Sequence, residues 1–117
     1  MTYKVIATDK FLDDVKYYIK KKKFTHIDED IDKIAALLEQ GNLVGDPISN
    51  VSIKNKTYKV RVANSDTHQG KSNGYRIIYY AVTEDFEVYL LTIYYKKDDI
   101  RIPTDKEIAE LIEKYCN

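Results

Sequence analysis

Apolar and polar residues alternate from Tyr58 to Ala63, with Tyr58, Val60 and Val62 on one side of an extended strand and Lys59 and Arg61 on the other. The same period opens the chain at Tyr3 to Ala7. Phe11, Leu12, Val15, Tyr18 and Ile19 then recur at helical spacing behind Thr8, a cap residue, and Lys20 to Lys23 close that helix. A second helix is predicted from Ile27 to Gln40, with Ile27, Ile31, Ile34, Ala35 and Leu38 on one face. Thr25 and Asp28 have capping-box spacing, and Gly41 supplies the stop. Gly45-Asp46-Pro47 and Lys54-Asn55-Lys56 read as turns, and Asn64 to Gly74 reads as a polar loop. Tyr75–Val82 and Phe86–Tyr95 are rich in β-branched and aromatic residues and flank Thr83-Glu84-Asp85, which predicts an antiparallel hairpin. Pro103 ends the extended region. Thr104 and Glu107 form a second box, opening a helix with the stripe Ile108, Leu111, Ile112 and Tyr115. The expected order is β-α-α-β-β-β-α, an α+β domain whose small antiparallel sheet carries its helices on one face.

At 117 residues, 1–117 makes one domain. A chain of that length buries roughly two thirds of its unfolded surface and needs no metal or disulfide to fold. The single Cys116 cannot form an internal disulfide, and one Cys with two separated His gives no zinc-ligand spacing. No dinucleotide fingerprint, P-loop or nucleophile elbow occurs, so neither cofactor nor metal is expected. No apolar run approaches the ~20 residues that span a bilayer, and no signal-peptide core is present. These features predict a soluble, cytoplasmic protein with no membrane partner.

Nineteen basic residues balance nineteen acidic ones, but unevenly. Residues 1–47 hold eight basic and nine acidic side chains, residues 48–80 six and one, and residues 81–117 five and nine. The middle segment, at +5, can bind phosphates locally without the far field of a general nucleic-acid binder. Lys59 and Arg61 project from one strand face about 7 Å apart. Arg76 lies early in the next strand as another exposed cation, Lys96 and Lys97 end the last strand, and Lys71 and His68 sit on the intervening loop. With Tyr75, Tyr79, Tyr80, Tyr94 and Tyr95 nearby, such a face suits single-stranded RNA, although most of the tyrosines are expected in the core.

Three segments occur in order: Tyr58-Lys59-Val60-Arg61-Val62-Ala63, Gly70-Lys71-Ser72-Asn73-Gly74-Tyr75-Arg76-Ile77-Ile78-Tyr79-Tyr80, and Leu90-Leu91-Thr92-Ile93-Tyr94-Tyr95-Lys96-Lys97-Asp98. With Gly45-Asp46-x-Ile48 upstream, they resemble the RelE/ParE superfamily of type II toxins, specifically the HigB-like branch of RelE, over roughly residues 27–115. The resemblance implies the toxin of a toxin–antitoxin system, a ribosome-dependent mRNA endonuclease (mRNA interferase) that inhibits translation and is neutralised by a cognate antitoxin. Its partners would be that antitoxin, the ribosome and mRNA, with operator DNA reached only through the antitoxin. The reaction needs no metal: the ribose 2′-OH attacks the adjacent phosphate and the 5′-oxygen leaves. By matching positions, Lys59 and Arg61 would orient the phosphate, Arg76 would stabilise developing charge, and Lys96 or Lys97 would stand near the leaving oxygen. Guanidinium does not deprotonate, so a lysine crowded by cations, Lys59 or Lys71, is the better base, and His68 is a further acid–base candidate. Two other classes fit the same resemblance: a non-enzymatic ParE-like toxin that binds gyrase, and a degenerate member that only binds a partner. The cation set favours the nuclease.

Overall fold

The computed structural model describes residues 2–68 and 70–116. Among them, three helices and five strands form an α+β fold: β1 (Lys4–Ala7), α1 (Asp9–Lys21), α2 (Ile27–Glu39), β2 (Asp46–Ile48), β3 (Lys56–Val62), β4 (Tyr75–Val82), β5 (Glu87–Tyr95) and α3 (Asp105–Cys116). No helix among the described residues is long and apolar enough to cross a membrane.

The sheet runs β1-β5-β4-β3-β2 and is mixed, which corrects the antiparallel expectation. After β1 the chain passes through both helices to the far edge and comes back by hairpins. β5 therefore ends beside β1 and parallel to it, Lys4 opposite Glu87, while every other pair is antiparallel. β2 is the strand missing from the predicted order. Its three residues, Asp46-Pro47-Ile48, lie where a turn was expected. Pro47 is tolerated because β2 is an edge strand. Gly45 leads into it at φ +106°, and a Cβ there would stand 2.6 Å from the Lys59 carbonyl oxygen, so the close approach of β2 to β3 requires glycine.

Helices cover both faces of the sheet, not one. Phe11, Val15 and Tyr18 of α1 and Ile27, Ile31, Ile34 and Leu38 of α2 pack on Val60, Val62, Ile77, Tyr79 and Ile93. Ile108 and Ile112 of α3 pack on the intervening residues Ile78, Tyr80, Leu91 and Tyr94. The reason lies in β4, whose first seven residues are all buried. A strand apolar on both sides has to be covered twice. A register slip pairs Ile78 with Thr92 but Tyr79 with Leu90, so Leu91 is an extra residue in β5 and turns to the α3 side. Leu12, assigned to the apolar stripe of α1, is instead 47% exposed.

The helix ends differ in how they are held. Thr8 accepts from the Phe11 amide at 3.3 Å, and its hydroxyl donates to the Leu90 carbonyl at 2.8 Å, joining the α1 cap to β5. The box of α3 forms as expected: Thr104 N–H donates to Glu107 at 3.0 Å and Glu107 N–H donates to Thr104 at 3.1 Å. The Thr25/Asp28 box does not form. His26 is the cap position of α2 and makes no side-chain cap bond. Its N–H donates to Asp66, 40 residues on, at 3.0 Å, and its Nδ1 lies 2.7 Å from the same carboxylate. Asp30 receives the N–H and hydroxyl of Ser65, both at 3.0 Å, so two carboxylates clasp the start of the 64–74 loop to α2.

Candidate functional site

Residues directly opposite each other in an antiparallel pair share a face of the sheet. Arg61 stands opposite Arg76, and Arg76 opposite Tyr94, which makes one row across three strands. Lys59 lies one pleat along, opposite Ile78 on β4 and Asp46 on β2. This is the face that α3 covers, but α3 covers only the part holding Ile78, Tyr80, Leu91 and Tyr94. Beyond it lies a cleft of about 390 Å³, lined by Asp46, Lys59, Arg61, Arg76, Tyr94, Lys96 and Ile102.

The four cations singled out in the sequence therefore converge. Lys59 and Arg61 arrive by strand alternation. Lys96 follows β5, and its N–H donates to the Gly74 carbonyl at 2.9 Å. Gly74 closes the loop against β3, where a Cβ would come within 2.1 Å of the Val62 carbonyl oxygen.

Arg76 corrects the expectation of an exposed strand cation: it is 8% exposed. Its Nη1 donates to the carbonyls of Lys71 and Tyr75, at 3.1 and 3.2 Å, and its Nη2 to that of Ser72 at 3.1 Å. Those bonds hold the 3-10 turn Lys71–Asn73 against β4. They use three of the five N–H donors of a guanidinium, which leaves it able to serve the cleft as well. Burial first, and the Arg61 guanidinium second, pull Arg76 below its ordinary value, though not far enough to deprotonate an arginine. Among the described residues, ion pairs link Lys10, His26 and Arg101 to carboxylates, and none includes Lys59, Arg61, Arg76 or Lys96. Four cations and one carboxylate, Asp46, leave the concavity net positive and suited to an oxyanion that two guanidiniums can grip together.

Asp46 is a site residue that sequence reasoning did not assign. It is the carboxylate in the cleft, opposite Lys59, and its place depends on β2, which the sequence presented as a turn. Of the five tyrosines considered, Tyr94 alone lines the cleft; Tyr75, Tyr79 and Tyr95 belong to the α1–α2 core and Tyr80 lies under α3. Burial raises the Tyr94 hydroxyl above its ordinary value, so it keeps its proton and can donate.

The remaining candidates lie elsewhere. Lys71 faces two depressions on the other side of Arg61. Lys97, on the turn after β5, and His68, exposed on the loop with φ 56°, are not among the residues lining the cleft. Burial pushes the Cys116 thiol up to about 12, which makes it a poor nucleophile. Among the described residues, no group of three or more His, Cys, Asp or Glu is placed to hold a metal ion. No family model matches the chain and no curated protein matches it, so the resemblance read above rests on the residues quoted for it.

Proposed function

We propose that this protein is the toxin of a type II toxin–antitoxin pair, a ribosome-dependent mRNA endonuclease that arrests translation and is silenced by its antitoxin. The observation that supports this reading most is the gathering of Lys59, Arg61, Arg76 and Lys96, none ion-paired, around one cleft with Asp46 and Tyr94.

Arg61 and Arg76 grip the non-bridging oxygens of the scissile phosphate and stabilise the charge that builds as the ribose 2′-oxygen bonds to phosphorus. Asp46, opposite Lys59 on the neighbouring strand, takes the 2′ proton. The bond from phosphorus to the 5′-oxygen breaks, Lys96 returns a proton to that oxygen, and a 2′,3′-cyclic phosphate remains. Cationic side chains supply the charge stabilisation, so the chemical step needs no divalent ion.

The test is cleavage of mRNA on programmed ribosomes by purified variants. Lys59→Ala and Arg61→Ala should each slow cleavage by about 100-fold or more, the usual cost of one oxyanion donor. Wild-type cleavage by both variants would overturn the assignment. Intact mRNA together with blocked gyrase supercoiling would move the protein to the non-enzymatic class.

A further inference from the structure

Three depressions meet at Arg61. The cleft is the first. The second, about 450 Å³, shares Asp46, Lys59 and Arg61 with it and adds Lys71. The third, about 190 Å³, shares Arg61 and Lys71 with the second and reaches α2 at Lys33 and Leu37. β2 pairs with β3 only from Thr57 to Lys59, so among the described residues no strand flanks β3 from Val60 to Val62 on that side. The depressions thus run over an open strand edge, from the α3 face of the sheet to the α2 face.

The third depression differs in character from the cleft. Its floor is aliphatic, with Ile34, Leu37, Val62 and Ala63, and its rim carries Lys33, Arg61 and Lys71. Its one carboxylate, Asp30, is buried and already bonded to Ser65. An apolar floor inside a cationic rim suits a nucleotide, with the ring on the floor and phosphate on the rim. At about 190 Å³ it is smaller than the 300–1,000 Å³ typical of drug-sized ligands and suits one ring. Arg61, shared by all three depressions, can stack its guanidinium plane on that ring.

We infer that a single-stranded RNA leaves the cleft over the open edge of β3 and seats a neighbouring nucleotide against Leu37 and Ala63, with its phosphate drawn to Lys33. This deepens the nuclease reading and rests on it. The track selects RNA over an acidic protein segment because its cations continue, residue by shared residue, from the phosphate cleft.

The experiment measures binding of 2′-O-methyl oligoribonucleotides, which cannot be cut, of three and six nucleotides to the full chain by fluorescence anisotropy at fixed salt. The six-mer should bind about 10-fold more tightly than the three-mer. Lys33 is exposed on α2, so Lys33→Glu should fold normally. It should erase the gain for the longer strand and leave the three-mer unchanged, with Lys33→Gln in between. The salt slope for the six-mer should fall by about 0.7 on losing one single-strand phosphate contact. Equal affinity for both lengths, or a Lys33→Glu protein that keeps the full gain, overturns the inference while cleavage on ribosomes keeps the nuclease reading alive. So does failure of both oligonucleotides to bind although ribosomal mRNA is cut. Loss of antitoxin binding in Lys33→Glu with RNA affinity intact assigns the notch to the protein partner and also overturns it. Absence of both binding and cleavage ends both readings.

Discussion

The two faces of the sheet are built from the same strands and come out as opposites. Under α1 and α2 the aromatic rings interlock: Phe24 lies 6.0 Å from Tyr75 and 5.3 Å from Tyr95, and Tyr18 lies 5.9 Å from Tyr75. Tyr18, Ile27, Leu38, Tyr75, Ile77 and Tyr79 have no exposed surface. The other face has one helix, and the portion of it that α3 leaves open is lined with charge. β3 serves both, sending Val60 and Val62 into the core and Lys59 and Arg61 into the cleft. One helix fewer on a face is enough to turn a core layer into an open, charged cleft, because alternation then delivers whatever the strand holds to solvent.

Paired substitutions on α2 and β3 would sharpen that contrast most. Leu38→Ala, on the closed face, should cost about 2–5 kcal/mol of stability in urea unfolding. Lys59→Ala, on the open face, should unfold at an unchanged denaturant midpoint while losing cleavage. A Lys59→Ala protein destabilised as much as Leu38→Ala would erase the distinction.

Arg76 is where the two roles overlap. Arg76→Ala should lose about 1–3 kcal/mol, because three carbonyls of Lys71, Ser72 and Tyr75 lose their donor, and it should lose cleavage as well. Arg76→Lys keeps the charge without the forked donors, so it should recover only part of either. Full stability in Arg76→Ala would return this residue to the surface class.

Smaller effects belong to the helix ends. Thr104→Ala removes the working cap and should cost about 1 kcal/mol. Thr25→Ala should cost nothing measurable, since no cap bond forms there. Calorimetry of the two variants side by side decides between the two boxes.

The last effect is one of direction. The Asp66 hydrogen bond, then its charge, raises His26 above its ordinary value near 6.5. A raised cation favours folding fully below the unfolded value and loses that contribution as pH climbs through the higher folded value. In an NMR titration, Asp66→Asn should bring the His26 midpoint down. An unmoved midpoint would show that the clasp does not hold in solution.

The strand alternation of β3, the β4–β5 hairpin, α1 with its Thr8 cap and α3 with its box were all legible, because each depends on neighbours within a few residues. What escaped depends on distant ones. The Thr25/Asp28 and Thr104/Glu107 pairs have the same spacing, but at the first the cap position falls on His26, which Asp66 meets from across the fold. β2 is three residues with a proline in the middle and exists through its partner β3. The parallel docking of β1 follows from β5, the last strand in the chain, and the second covered face from β4, which is buried on both sides. For the site, the residue types and their clustering could be read from alternation. The burial of Arg76 and the placing of Asp46 could not, since one needs the carbonyls of a 3-10 turn and the other an edge strand.

The pairing of β1 with β5 also sets a schedule. The Thr8 hydroxyl waits for a carbonyl 82 residues downstream, and the cleft waits for Lys96. During synthesis β1 to β4 are made first, yet neither the sheet nor the anion site can close until β5 has left the exit tunnel. On the proposed reading, a protein that cuts messages on working ribosomes is harmless to the one translating it. An antitoxin has from that moment, and no earlier, to find a finished target.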